Sequence, residues 1–155
     1  HGTYKVNGTQ NITIVPFKTA YQEEAKRLIL AGLEEHWGSL DPSRNPDLED
    51  IRSSYSNGLF LVAILDEEVI GTGAILPRDN NTAEIVRMSV AARKRRKGIG
   101  NMILKKLCDH ARSICCGQVV LETTDSWLEV IAFYERYGFQ ISHHQDGDVY
   151  FALDL

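Results

Sequence analysis

No apolar run in this chain approaches the roughly 18 consecutive residues that a bilayer-crossing helix needs, which excludes a helical membrane span. A secretory leader is not in evidence either, and the chain is read as working in the cytoplasm without a membrane partner. Cysteine is scarce. Cys108, Cys115 and Cys116 are odd in number and two are adjacent, a pattern that suits neither a disulfide framework nor a Cys-x-x-Cys metal or redox site. They read as reduced thiols. A basic excess is lacking as well: the formal net charge of −4 argues against nucleic acid as the main partner. No internal repeat, low-complexity tract or linker divides the sequence.

What remains is an ordinary globular composition, 43% hydrophobic and 25% charged over 155 residues, enough for one core. The polar start His1-Gly2-Thr3 reads as a processed or added end. Residues 1–10 are therefore set outside the fold as disordered or extraneous, and 11–155 are read as a single domain. Asn7-Gly8-Thr9 and Asn11-Ile12-Thr13 match the glycosylation pattern and, without a leader, are read as chance matches.

Taken in order, a short strand over 12–17 precedes a helix that Thr19 would cap, with Ala25, Leu28, Ile29, Leu33 and Trp37 as its apolar stripe and Gly38 as its end. Residues 41–58 read as a loop and a short second helix carrying Leu48, Ile51 and Tyr55. Strands over 59–65 and 69–76 form a hairpin about Asp66-Glu67-Glu68, and a polar turn over 77–81 leads to a central strand. There the alternation sets Ile85, Arg87 and Ser89 on one face and Glu84, Val86, Met88 and Val90 on the other. A helix follows, with Ile99, Ile103, Leu107, Ala111 and Ile114 at helical spacing, then a strand over 118–123, a helix over 126–137 closed at Gly138, and a last hairpin about Asp146-Gly147. The order β-α-α-β-β-β-α-β-α-β-β implies an α+β fold, a mixed and mostly antiparallel sheet with helices on both faces.

The chemistry concentrates between the central strand and its helix. Arg93, Lys94, Arg95, Arg96 and Lys97 run into Gly98-Ile99-Gly100. Glycines let backbone N–H groups point outward unobstructed, and a helix N-terminus carries about half a positive charge, so this segment suits a phosphate or pyrophosphate. A basic run alone is more often a solvated face or a nucleic-acid patch. The glycines and the helix behind them tilt the balance toward a small polyanion.

Arg95-Arg96-Lys97-Gly98-Ile99-Gly100 resembles the Arg/Gln-x-x-Gly-x-Gly/Ala acetyl-CoA signature of the GNAT superfamily of N-acetyltransferases. Ala132 to Phe139, containing Tyr134-Glu135-Arg136-Tyr137-Gly138-Phe139, resembles that family's Tyr-Glu-x-x-Gly-Phe segment. The resemblance implies that the strands over 82–90 and 118–123 splay apart and that the pantetheine arm of acetyl-CoA lies between them. Met88, Ser89 and Val90 would line the arm, and Arg95, Arg96, Lys97, Gly98, Ile99 and Gly100 would hold the pyrophosphate. It further implies direct transfer of an acetyl group to a primary amine in a ternary complex. Glu84 would be the general base, Tyr134 would touch the cofactor sulfur and protonate it, and backbone N–H groups near Val90 would polarise the thioester.

Each assignment has a plainer counterpart. Glu84 also reads as a solvated sheet residue, and Tyr134 as a core aromatic. Trp127 stands where many members carry an asparagine that reaches the pantetheine, and Ala92 where many carry proline. Cys108, two turns into the helix, reads as a small core residue, not a nucleophile. His110, His143 and His144 lack metal-ligand spacing, and no metal is assigned. Glu34, Glu35, Asp41, Asp47, Glu49 and Asp50 on the acceptor side would suit a cationic amine. The expected partners are thus acetyl-CoA or CoA and an amine, with homodimerisation left open. The alternative is a non-catalytic acyl-CoA- or nucleic-acid-binding module that uses the basic loop as an anchor.

Overall fold

The computed structural model describes residues 2–6, 10–39 and 44–155. Asn7-Gly8-Thr9 and Asp41 lie outside the described residues. Among the described residues eight strands form one sheet in the order β1-β2-β3-β4-β5-β6-β8-β7. They are β1 (Gly2–Val6), β2 (Gln10–Pro16), β3 (Leu59–Leu65), β4 (Glu68–Pro77), β5 (Thr82–Val90), β6 (Gln118–Thr124), β7 (Gln140–Gln145) and β8 (Asp148–Asp154). Every neighbouring pair is antiparallel except β5 and β6. Residues 2–6, which the sequence alone sets outside the fold, form an edge strand paired with β2.

Among the described residues four α-helices cover the two faces: α1 (Gln22–Trp37), the single turn α2 (Ile51–Ser54), α3 (Ile99–Ser113) and α4 (Leu128–Tyr137). Ala25 and Ile29 of α1 with Leu48, Ile51 and Tyr55 pack on Phe60, Val62, Val69 and Ala74. On the opposite face Ile103, Leu104, Leu107 and Ala111 of α3 join Leu61, Ile70, Ile75, Ile85, Val119 and Phe151. Trp37 and Ile114, the last members of the two apolar stripes, come out of the core at 58% and 48% exposure.

Helix ends follow backbone geometry more than side-chain caps. Thr19 does not cap α1. It opens a 3₁₀ turn over Thr19–Tyr21, and α1 starts behind Tyr21. Gly38 closes α1 at φ 77°, where a Cβ would be strained, as the glycine suggested. α4 begins at Leu128 with Trp127 as its cap residue, two residues later than the expected Ser126.

The principal departure lies in β5. Its pairing with β4 slips by one residue between Thr72 and Ala74, and Arg87 takes φ 56°, the left-handed region that a non-glycine residue enters only at a cost of roughly 1–2 kcal/mol. One extra residue resets the alternation. Val86 packs on the α1/α2 face, Arg87 bonds to residues of the segment before α2, and Ser89 lies against Gly32 of α1. Ile85, Met88 and Val90 pack on the α3 face. The expected grouping of Ile85 with Arg87 and Ser89, and of Val86 with Met88 and Val90, is therefore overturned by the bulge.

Candidate functional site

β5 and β6 pair only over Thr82, Ala83 and Glu84 with Gln118, Val119 and Val120. Beyond Glu84, β5 runs on to Val90 with no strand bonded to its β6-facing edge, while β6 stays paired to β8 along its length. A parallel pair that separates after three residues leaves a wedge lined by unpaired backbone. An extended polar ligand can use such an edge.

The mouth of this wedge is the basic loop. After β5, Ala92–Lys94 make a 3₁₀ turn, Arg95 is extended, Arg96 takes φ 64°, and Gly98 caps α3 at φ 81°. Nothing lies within 4 Å of the position a Cβ on Gly98 would take, so the space over the first turn of α3 is open. There the helix presents N–H groups that have no intrahelical partner and the positive end of its dipole. Ile99, 1% exposed, pins that turn to the core. Gly100, in the same turn, also serves packing. A Cβ there would meet Phe133 of α4 at 3.3 Å, so its missing side chain admits the neighbouring helix.

Three of the five cations are already matched to acids. Arg93 pairs with Glu68, Arg96 with Glu129 at 3.2 Å, and Arg95 holds both oxygens of Glu35 at 2.5 and 3.1 Å while donating to the Val90 carbonyl at 3.2 Å. Among the described residues Lys94 and Lys97 have no ion-pair partner. A diphosphate fits this donor set: an open helix N-terminus, two uncommitted ammonium groups, and a guanidinium held by an exposed, exchangeable carboxylate.

Glu84 stands at the apex of the wedge, in the last β5–β6 pair, with its carboxylate engaged by Arg78 Nε at 2.5 Å. Met88 packs in the α3-side core, and Ser89 faces α1. Tyr134 is 6% exposed, its ring in edge contact with Phe133 and Phe139, and burial pushes its hydroxyl well above the ordinary phenol range. Trp127, at the head of α4, stacks against His36 and meets Trp37 of α1 at a tilt. Cys108 is fully buried and burial pushes its thiol up, as befits a core residue and not a nucleophile. His143 stacks on Tyr150 at the edge of the sheet. Among the described residues no three His, Cys, Asp or Glu side chains come together as metal ligands, and no helix is long and apolar enough to cross a membrane.

The acids named for a cationic acceptor are largely committed within the protein. Glu35 serves Arg95, Glu49 pairs with Lys26 at 2.9 Å, and Asp50 caps α2 through Ser53 N at 3.2 Å. Asp47 accepts from Arg87 Nη2 at 2.7 Å, from Arg87 Nε at 3.0 Å and from the Tyr55 hydroxyl at 2.5 Å, and Arg87 Nη2 also reaches Asn45 at 3.1 Å. Burial opposes the charge on Asp47, yet the Arg87 and Tyr55 bonds outweigh it and hold the carboxyl below its usual range. Arg87 and His36 of α1 are the members of this neighbourhood that sequence reasoning missed, and Glu35, named for the acceptor, is bonded to Arg95. A partner 40 or 60 positions away leaves no local signal.

Comparison with known proteins agrees with this geometry. Residues 23–139 match the Acetyltransferase (GNAT) family. The protein named Probable N-acetyltransferase 14 of Xenopus tropicalis is 35% identical over 103 residues, 64% of this chain and 50% of that protein. The chain spans half or less of the length of the curated relatives it matches. A GNAT-family acetyltransferase from Staphylococcus aureus Mu50 superposes with a TM-score of 0.84 at 26% identity, over 93% of this chain and 99% of that one. A GNAT acetyltransferase from Elizabethkingia anophelis, crystallised with acetyl-CoA bound, gives a TM-score of 0.69 at 24% identity over 93% and 98% of the two chains.

Proposed function

The chain belongs to the GNAT acetyltransferase family, and from that membership we propose that it acts as one domain that moves an acetyl group from acetyl-CoA directly onto a primary amine within a ternary complex. The observation that carries the proposal is the wedge between β5 and β6 opening onto the glycine-capped N-terminus of α3. The acetyl-CoA bound by the Elizabethkingia anophelis neighbour supports the choice of acyl donor.

Acetyl-CoA brings an activated acyl group and a thiolate leaving group; the protein supplies the rest. The first-turn N–H groups of α3 with Lys94, Lys97 and Arg95 bind the diphosphate. The β5 edge at Met88 to Val90 aligns the pantetheine arm, and its N–H groups face the carbonyl on which negative charge develops. Trp127 flanks the arm from α4. Tyr134 keeps its proton at neutral pH and donates a hydrogen bond toward the sulfur.

Glu84 drains the proton that the amine loses. A carboxylate is too weak a base to deprotonate a resting alkylammonium outright, so Glu84 acts as the proton leaves the attacking nitrogen, through water. The Arg78 bond holds this carboxylate at the apex of the wedge.

The test is thiol release from acetyl-CoA with a panel of primary amines. Acceleration by at least one amine, lost on Glu84→Gln more at neutral than at high pH, meets the proposal. Tight acetyl-CoA binding with no acceleration by any amine makes the chain a non-catalytic acyl-CoA module. Nucleic-acid binding that competes with acetyl-CoA would make it a nucleic-acid anchor.

A further inference from the structure

The bulge in β5 is held from both sides. On the backbone side, the hydroxyl of Thr72, itself fully buried, donates to the Arg87 carbonyl at 2.8 Å. On the side-chain side, the guanidinium is fixed by three bonds to Asp47 and Asn45, and Asp47 is steadied in turn by Tyr55. The segment bearing these partners is itself clamped to α1, because Gln22 donates to the Leu48 carbonyl at 2.7 Å and accepts from Ile51 N at 3.0 Å. A left-handed arginine persists only where its surroundings over-determine it, and here they do.

An inserted residue does more than re-aim side chains. It also shifts by one position which backbone N–H groups lie on the free edge of the strand, so the bulge decides which amides of Met88 to Val90 face the wedge. We infer that Arg87 is a positioning residue for thioester activation: anchored by Asp47 and Thr72, it holds the β5 bulge in the one register that presents those amides to the acyl carbonyl. Asp47 lies in the segment clamped to α1 on one face of the sheet, and the amides lie along the free edge of β5. The same pair therefore ties the segment from Asn45 to Tyr55 to the donor geometry.

This inference rests on acetyl-CoA being the ligand of the wedge, and its test separates the two claims without needing the amine. Acetyl-CoA labelled with ¹³C at the thioester carbonyl is bound to the wild-type chain, to Arg87→Lys and to Thr72→Val, and the carbonyl infrared band is recorded below each melting transition. Acceptor-independent hydrolysis of acetyl-CoA and its Kd by calorimetry are measured on the same samples. In the wild type the bound band sits below that of free acetyl-CoA. In both variants it moves back toward the free position and hydrolysis falls tenfold or more, while Kd changes less than threefold because the phosphate loop is untouched. Thr72→Val serves if Arg87→Lys does not fold, since it removes a hydroxyl with little change of shape. A merely structural ion pair would lower the melting temperature and leave the band alone. An unshifted band in the wild type, or wild-type band and hydrolysis in both variants, overturns the inference and leaves the acetyltransferase reading standing. Failure of the wild type to bind acetyl-CoA removes that reading, and the inference with it.

Discussion

His36 of α1 stacks on Trp127 at the head of α4, ring centroids 4.2 Å apart and planes 25° apart, and Trp37 tilts against the same indole at 5.3 Å. The end of α1 is thereby fastened across the wedge, with Gly32 on Ser89 and Glu35 on Arg95 beside it. Both tryptophans of the sequence lie in this one contact, so their emission reports on it directly. Acetyl-CoA should change that emission, and Trp127→Phe should lose most of the change. Under the proposed function Glu35, which holds Arg95 in an exposed ion pair, would compete with the cofactor phosphates for it. An exposed ion pair is worth about 0.2–1 kcal/mol, so Glu35→Gln should tighten acetyl-CoA by up to about fivefold and steepen the salt dependence of the titration, because the site becomes more positive. Weaker binding by this variant would mean that Glu35 positions Arg95 for the phosphates and does not compete with them.

The two loop glycines should fail in different ways. Gly98 sits at φ 81° facing open space, so Gly98→Asp places a carboxylate over the anion site and adds backbone strain of roughly 1 kcal/mol without touching the core. Acetyl-CoA binding should be lost with a small fall in melting temperature. Gly100→Asp must push Phe133 away from 3.3 Å contact, so it should destabilise the α3–α4 packing as well. Thermal melting with and without acetyl-CoA distinguishes them, and equal destabilisation by both substitutions would contradict the separate roles.

What could be read from the residues and what could not divide along sequence distance. The glycine loop, the Asp146-Gly147 hairpin and the Gly38 and Gly138 helix ends carry their signal in a few adjacent positions, because positive φ demands particular residues there. The bulge carries none. Val86, Arg87, Met88 and Ser89 continue a plausible alternation, and only the pairing with β4 and the distant Asp47 show that one residue is extra. For the same reason nothing near Arg95 points to Glu35, 60 positions away. Thr19 fails as a cap because a 3₁₀ turn intervenes before α1.

Alkaline pH should expose the Tyr55–Asp47 pair. Burial first, and then the Asp47 carboxylate, raise the Tyr55 hydroxyl from 10.0 to about 12. Between those values the unfolded chain has released this proton and the folded chain has not, so the folded state binds more protons and stability falls as pH rises. The contribution is fully present below pH 10.0 and gone above about 12. Denaturant midpoints of the wild type should drop across this window, and those of Tyr55→Phe should drop less steeply. Tyr134 and Tyr137 are raised too and leave a residual slope. Parallel curves for the two proteins would show that Tyr55 ionises in the folded state as freely as in the unfolded one.

Tyr134 is the residue on which burial and chemistry pull hardest against each other. Its ring is core, touching Phe133, Phe139 and Phe151, so Tyr134→Phe keeps the packing and removes only the hydroxyl. Desolvation keeps that hydroxyl protonated throughout the working range. Full transfer of the proton to a thiolate, whose conjugate acid has a pKa of about 8.5, is uphill from a phenol of about 10 or above. The hydroxyl therefore acts by hydrogen bonding to the sulfur as charge develops, which places the loss of kcat in Tyr134→Phe below the roughly hundred- to ten-thousandfold of full general-acid catalysis, at about ten- to a hundredfold. The Kd for acetyl-CoA and the melting temperature should stay close to wild type. No alkaline limb in the kcat profile should vanish with the substitution, because the group does not titrate where the enzyme is assayed. If kcat is instead unchanged while the melting temperature falls, the hydroxyl serves the core alone and the sulfur finds its donor elsewhere.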